Sequence, residues 1–150
     1  MNFRIDAVLP ASPTSIWPVF FDLGRVAALI PGCENVEELI PLASYSAVMN
    51  QKIGPFKMSV PTQIAVDRIE EPSHVTLRAS GRDKFTGTTL AVLLSVDLEA
   101  AAQGGTRLEI NSEIQIAGRL ASLGFPVVKK KSEELFAEFE KRLRAELELV

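Results

Sequence analysis

One histidine, His74, one cysteine, Cys33, and a run of three lysines, Lys129, Lys130 and Lys131, are the residues of this chain whose types could support chemistry most directly. A general base must be held near the proton that it takes. His74 falls in Pro72-Ser73-His74, which reads as a surface turn and does not offer that support. Cys33 stands beside Gly32 in a loop, with no histidine near it in sequence to draw off its proton, and a free cysteine of this kind reads as a small buried apolar residue. Glu37-Glu38, Glu70-Glu71 and Glu133-Glu134 read as solvated surface rather than as an acid pair. No His/Cys/Asp/Glu spacing suggests a metal site. Gly104-Gly105-Thr106-Arg107 is a hairpin turn and not a phosphate loop, because no helix follows it. An enzyme would need an inward acid or base, and the strands supply little: Arg82-Asp83 near a strand end and Gln51 are the only candidates that would merit mutation. The expectation is therefore a protein with no catalytic centre, no metal and no cofactor.

The lysine run has two readings. It is a solvated helix turn, or it contacts anionic lipid headgroups or an acidic partner, each lysine then contributing about 1 kcal/mol. It follows Phe125-Pro126-Val127-Val128, and apolar residues beside a basic cluster suit transient docking on a membrane surface. Such contact is expected to be reversible and charge-dependent, because the chain ends at Val150 with no anchoring tail after it.

Length and composition bound the rest. The 150 residues suit one domain spanning 1–150, and 47% hydrophobic content is enough for a core without disulfide staples. Acidic residues outnumber basic ones, 19 to 16, which gives no general field attractive to nucleic acid. Charges at Arg4 and Asp6 and the lack of an early apolar stretch argue against a secretory signal, and no run approaches the roughly 18 apolar residues needed to span a bilayer. The expectation is a cytoplasmic protein, with room for peripheral contact at the inner face of the membrane.

The elements that must position any site are legible from periodicity. Phe3, Ile5, Ala7 and Leu9 alternate with Asn2, Arg4, Asp6 and Val8, which predicts a short strand with one apolar face. Ser12-Pro13 opens a helix with Ile16, Trp17, Phe20 and Phe21 on one stripe, bent or shortened by Pro18. Leu23, Val26, Ala27 and Ile30 predict a second short helix, ended by Pro31-Gly32. The period then changes to two, and strands are expected near 35–42, 45–54, 56–70, 73–83, 87–102 and 106–117. Phe56, Met58, Val60, Thr62, Ile64 and Val66 share one face, as do Leu90, Val92, Leu94, Val96 and Leu98, and Leu108, Ile110, Ser112, Ile114 and Ile116. After Gly118 the period returns to 3.6. Leu135, Phe136, Phe139, Leu143 and Leu147 form the stripe of a helix running to the C-terminus, with a break expected near Gly124-Phe125-Pro126.

The order β-α-α-β6-α predicts an α+β helix-grip fold: a curved, antiparallel, seven-stranded sheet around a long C-terminal helix, with an internal apolar cavity where the sheet coils away from the helix. The cavity lining is expected from inward strand positions Met49, Gln51, Met58, Val60, Leu77, Val92, Leu94, Ile110 and Ser112, and from Phe125, Val128, Ser132 and Phe136 on the helix. The methionines adapt to irregular ligands. Gln51 and Ser112, polar among apolar neighbours, either find partners within the core or orient a ligand.

This element order resembles the START and birch-pollen-allergen superfamily. Three segments narrow the resemblance: Pro31-Gly32-Cys33-Glu34 after the second helix, Lys52-Ile53-Gly54-Pro55-Phe56-Lys57 at a strand turn, and Gly118-Arg119-Leu120-Ala121-Ser122-Leu123-Gly124 before the last helix. In that order, and over nearly the whole chain, they look like the G-subunit family of carbon monoxide dehydrogenase. That resemblance implies an accessory protein of a molybdenum-containing hydroxylase, concerned with membrane attachment and with carrying a quinone- or lipid-like molecule. Two other readings stay open: a cyclase- or dehydratase-type enzyme of the same superfamily, and an assembly partner that binds no ligand.

Overall fold

The structure, a computed structural model, describes residues 1–53 and 55–148, without the side chains of residues 20, 21, 56 and 119. The expected glycine turn at Gly54 and the expected inward side chains of Phe20, Phe21 and Phe56 lie outside the described residues, as does the end of the chain at Val150. Strand β1 (Asn2–Leu9) is followed by helices α1 (Pro13–Phe21) and α2 (Leu23–Ala28). Strands β2 (Cys33–Ile40), β3 (Ser44–Ile53), β4 (Phe56–Glu70), β5 (His74–Arg82), β6 (Thr89–Ala100) and β7 (Thr106–Ala117) come next. A 3-10 turn (Arg119–Leu123) then leads into helix α3 (Phe125–Leu147). The strands form one antiparallel sheet in the order β1-β7-β6-β5-β4-β3-β2, the helix-grip arrangement that the element order predicts.

Alternation sets which face each strand buries. Along β7, Leu108, Ile110 and Ser112 are buried, whereas Arg107, Asn111 and Glu113 face outward. In β4 the register skips Asp67, since Val66 pairs with Leu77 and Arg68 with Thr76. The bulge reverses the phase, so Ile69 packs against the core while Arg68 stays exposed.

The helix starts differ from expectation in one respect. Ser12 makes no side-chain cap to a backbone N–H; its hydroxyl pairs instead with those of Thr14 and Ser15, and its carbonyl accepts from Ser15 and Ile16. Pro13 occupies the first turn, where a missing N–H costs nothing. The carboxylate of Asp22 caps α2 by accepting from the Arg25 N–H at 3.2 Å, and the Arg25 guanidinium pairs with Glu146, tying α2 to the far end of α3. The expected break in the last helix falls at Gly124, whose φ of 95° ends the 3-10 turn, and Pro126 lies in the first turn of α3. Gly118 (φ 92°) turns the chain out of β7; a Cβ there would collide with the Gly87 carbonyl oxygen.

Two apolar clusters result. The larger joins Ile5, Leu9, Ile16, Trp17, Val96, Leu108 and Ile110 to Phe139, Leu143 and Leu147, closing β1, β6, β7 and α1 onto the C-terminal half of α3. The smaller joins Ile53, Met58, Val60, Leu120 and Val128 near the N-terminal end of α3. The functional question concerns the space between them.

Candidate functional site

That space is a partly open cavity of about 170 Å³ bordered by α2, the inner face of the sheet and the middle of α3. Leu23, Val26, Ala27 and Ile30 form one wall, Tyr45, Ile64, Leu77, Val92, Leu94 and Ser112 the sheet wall, and Ser132, Leu135, Phe136 and Phe139 the third. A second chamber of about 100 Å³ lies towards the start of α3, between Met49, Gln51, Ile53, Met58 and Val60 on one side and Leu120, Lys131, Ser132 and Leu135 on the other. Ser132 and Leu135 line both chambers.

The polar groups in this apolar surround differ in how they are satisfied. The Ser132 hydroxyl donates to the Val128 carbonyl one turn back, at 2.9 Å. Gln51 Nε2 donates to the Pro31 carbonyl at 2.6 Å, so its amide is held by the loop that Gly32 turns, although its side chain borders the second chamber. The hydroxyl of Ser112 has no side-chain hydrogen-bond partner among the described residues, and Ser112 is 4% exposed. That hydroxyl opens onto the pocket and is free to bond what enters it. Tyr45 closes the rim, its hydroxyl donating to Glu38 Oε2 at 2.9 Å. Burial, and then the Glu38 carboxylate, push its phenol up to about 12, so it stays protonated at neutral pH.

The candidates for acid–base or nucleophilic work lie elsewhere. His74 opens β5 and contacts Asp97 Oδ1 across the β5–β6 pair at 2.5 Å; it is the first residue of a strand rather than part of the turn, and it lines neither chamber. Cys33 is half-buried at the start of β2, and burial followed by the charge of Glu34 pushes its thiol up, away from a reactive thiolate. Asp83 is buried in the β5–β6 connection, where its carboxylate accepts from the Phe85 N–H at 2.9 Å and the Thr86 hydroxyl at 3.1 Å. That is the bonding of a turn-building residue. Among the described residues no carboxylate or imidazole lines either chamber, and no group of three His, Cys, Asp or Glu converges as a metal site would require. The arrangement can hold an apolar ring or branched chain and offer it one hydroxyl.

The structure distributes the sequence-derived lining unevenly. Leu77, Val92, Leu94, Ser112, Ser132 and Phe136 line the central cavity, and Met49, Gln51, Met58 and Val60 the second chamber. Ile110 does not line either one; it is 1% exposed in the larger cluster, at a level of β7 that the C-terminal half of α3 closes off. Phe125 and Val128 border a shallow surface hollow beside Met1, Phe125 being 62% exposed because the first turn of α3 projects past the sheet. Lys129 and Lys130 are exposed, Lys129 lying 3.9 Å from Glu133 and with its ammonium 5.9 Å from the centre of the Phe125 ring; Lys131 reaches the second chamber. The wall formed by α2 is missing from the sequence-derived set. Its signal was present in the i, i+3, i+4, i+7 spacing of Leu23, Val26, Ala27 and Ile30, which marks an inward face without saying what it faces.

Comparison with known proteins supports the same architecture. Residues 5–148 match the family of the carbon monoxide dehydrogenase G subunit (CoxG). No curated protein sequence matches the chain. A conserved protein from Geobacillus kaustophilus superposes with a TM-score of 0.82 at 20% identity, over 98% of this chain and 95% of that one. The ZhuI aromatase/cyclase from Streptomyces sp. R1128 superposes with a TM-score of 0.68 at 13% identity, over 99% and 93%. Ara h 8.0201 gives 0.63 at 16% identity, over 98% and 97%. At these identities the likeness is one of fold.

Proposed function

We infer the function of this chain from its family and its cavity: it belongs to the CoxG family, that of the carbon monoxide dehydrogenase G subunit, and we propose that it binds and carries an apolar small molecule, quinone- or lipid-like, as an accessory protein of a molybdenum-containing hydroxylase of the carbon monoxide dehydrogenase type. The observation that carries the reading is the central cavity, apolar on three walls, with the single unpartnered hydroxyl of Ser112 in its lining. A few polar groups in an apolar pocket are the usual means of orienting a small ligand. A quinone carbonyl has the acceptor that the Ser112 hydroxyl lacks. The cavity is smaller than the roughly 300–1,000 Å³ common for drug-sized ligands, so it suits one ring or a short branched segment. A longer tail would pass Ser132 and Leu135 into the second chamber. The reading is of a carrier and not of a cyclase or dehydratase, since the groups that face the cavity bind but do not exchange protons at neutral pH.

Native mass spectrometry of the purified protein, followed by organic extraction, tests this reading. The expected result is an added mass released by the solvent, and saturable binding when the extracted protein is titrated with a short-tailed benzoquinone. Protein free of any apolar compound that also fails to bind the quinone would overturn it.

A further inference from the structure

The three consecutive lysines of α3 stand in different surroundings. Lys129 lies 3.9 Å from Glu133, one turn on, and its ammonium sits over the Phe125 ring. Lys130 is exposed. Lys131 is half-buried and lines the second chamber. Glu134, three residues on, is the acid that the helix offers it, yet Glu134 is exposed and the two make no ion pair. No other acid among the described residues pairs with Lys131, and none faces it across the chamber. One wall of an apolar chamber therefore carries a positive charge with no partner in the fold.

The other polar groups of that chamber are engaged within the protein. Gln51 Nε2 donates to the Pro31 carbonyl, and the Ser132 hydroxyl donates to the Val128 carbonyl. The Thr88 hydroxyl is bonded to that of Thr86 at 2.9 Å and accepts from the Leu120 N–H at 3.2 Å. The ammonium of Lys131 keeps its three donors unspent among the described residues. A charge beside apolar surface is costly unless it is paired, and an ionised carboxylate supplies both the opposite charge and the acceptors. The rest of the lining, Met49, Met58, Ile116 and Leu120 among it, suits an alkyl chain. A cationic wall on an apolar passage matches an amphiphile with one acidic end. The chambers, of about 170 and 100 Å³, suit a single unbranched chain.

We propose that Lys131 is the head-group residue of a carboxylate site: a medium-chain, unbranched acid binds with its carboxylate on the Lys131 ammonium and its chain running through the second chamber, past Ser132 and Leu135, into the central cavity. The proposal rests on the carrier reading for the cavity being a ligand site, and it adds a ligand class of opposite orientation. A quinone has no anionic head and meets the Ser112 hydroxyl, whereas the acid is held from the other end. The competing role for Lys131 is that of a stem that covers apolar surface while its ammonium stays in water. Methionine keeps such a stem and lacks the charge, so it tells the two apart.

The full chain is titrated by calorimetry at neutral pH with decanoate and with 1-decanol, both below the concentrations at which they aggregate. Saturable binding of decanoate is expected. Lys131→Met should weaken decanoate about ten-fold or more, from the loss of a charge-assisted bond, and change decanol by less than about two-fold, so the effect belongs to the carboxylate and not to the stem. Lys131→Arg should restore most of the decanoate affinity. Lys130→Met removes an exposed charge from the same run and should change neither affinity. With methyl-labelled methionine, the bound chain should give nuclear Overhauser contacts to Met49 and Met58, which an acid held on the outer lysines would not reach. A wild type that does not bind decanoate, a Lys131→Met variant that loses both ligands alike or neither, a Lys130→Met variant that loses as much as Lys131→Met, or a bound decanoate without contacts to either methionine would each overturn the carboxylate site. Titration with the short-tailed benzoquinone separates the two proposals: saturable quinone binding by a protein that ignores decanoate removes the carboxylate site and leaves the carrier reading standing.

Discussion

Leu135 and Leu143 lie on one stripe of α3, about two turns apart, in different surroundings. Leu143 is 1% exposed, enclosed by the cluster that joins β1, β6, β7 and α1. Leu135 is half-buried and borders both chambers. The difference comes from what each half of the helix meets. The C-terminal half meets α1 and the β1 edge, which close on it and fill the space. The N-terminal half meets a sheet that has coiled away, roofed by the short α2, whose cap at Asp22 and tie from Arg25 to Glu146 hold it over a gap. The same helical periodicity thus supports the fold at one end and borders a cavity at the other.

Substitutions along α3 give the largest test of this contrast. Leu143→Ala should cost about 3–4 kcal/mol in denaturant unfolding, because the closed cluster cannot collapse around the lost atoms. Leu135→Ala should cost less than about 1.5 kcal/mol, because one side of that residue already faces open space. Equal losses would erase the distinction between the two halves.

Tyr45, at the cavity rim, gives a pH-dependent effect. Its phenol titrates near 12 in the fold and near 10 when unfolded. The folded state therefore holds the proton more tightly. The resulting stability is fully present below about pH 10 and is lost as pH rises from about 10 to 12. Across that window the wild type should lose about 2 kcal/mol more than Tyr45→Phe, as measured by urea unfolding at each pH; parallel curves would place the phenol in an ordinary environment. Ala27→Leu fills the central cavity from the α2 wall. It should weaken quinone binding by more than about ten-fold while changing stability by less than about 1.5 kcal/mol. The smallest effect is at Ser112. Removing its hydroxyl in Ser112→Ala should weaken quinone binding about two- to ten-fold, with stability little changed, since the hydroxyl faces the pocket and gives no side-chain hydrogen bond to the fold. Equal affinity would mean that the hydroxyl does not orient the ligand.

Much of the architecture was legible in the chain because alternation and helical stripes report directly on burial. Leu108, Ile110 and Ser112 against Arg107, Asn111 and Glu113 give β7 and its inner face, and the turn residues bound most strands to within two or three positions. The bulge at Asp67 was not legible, because an extra residue in β4 is defined only by its partner strand. The site was legible by face but not by level. Ile110 and Ser112 alternate identically, yet one is packed and the other borders the cavity, according to where α3 crosses. Phe125 reads as the start of an inward stripe and lies outside, because Gly124 starts the helix beyond the edge of the sheet. The α2 wall depends on a contact distant in sequence, Arg25 with Glu146, which no local pattern encodes.

The central claim is that the ligand occupies the space between α2, the sheet and the first half of α3. Nuclear Overhauser contacts from a bound short-tailed quinone to methyl-labelled protein measure this directly. The account predicts contacts to the methyls of Ile64, Leu77, Leu94 and Leu135 and none to those of Leu108, Ile110 or Leu143. Contacts confined to exposed methyls such as Leu93, or a saturated complex with none to the cavity set, would contradict it.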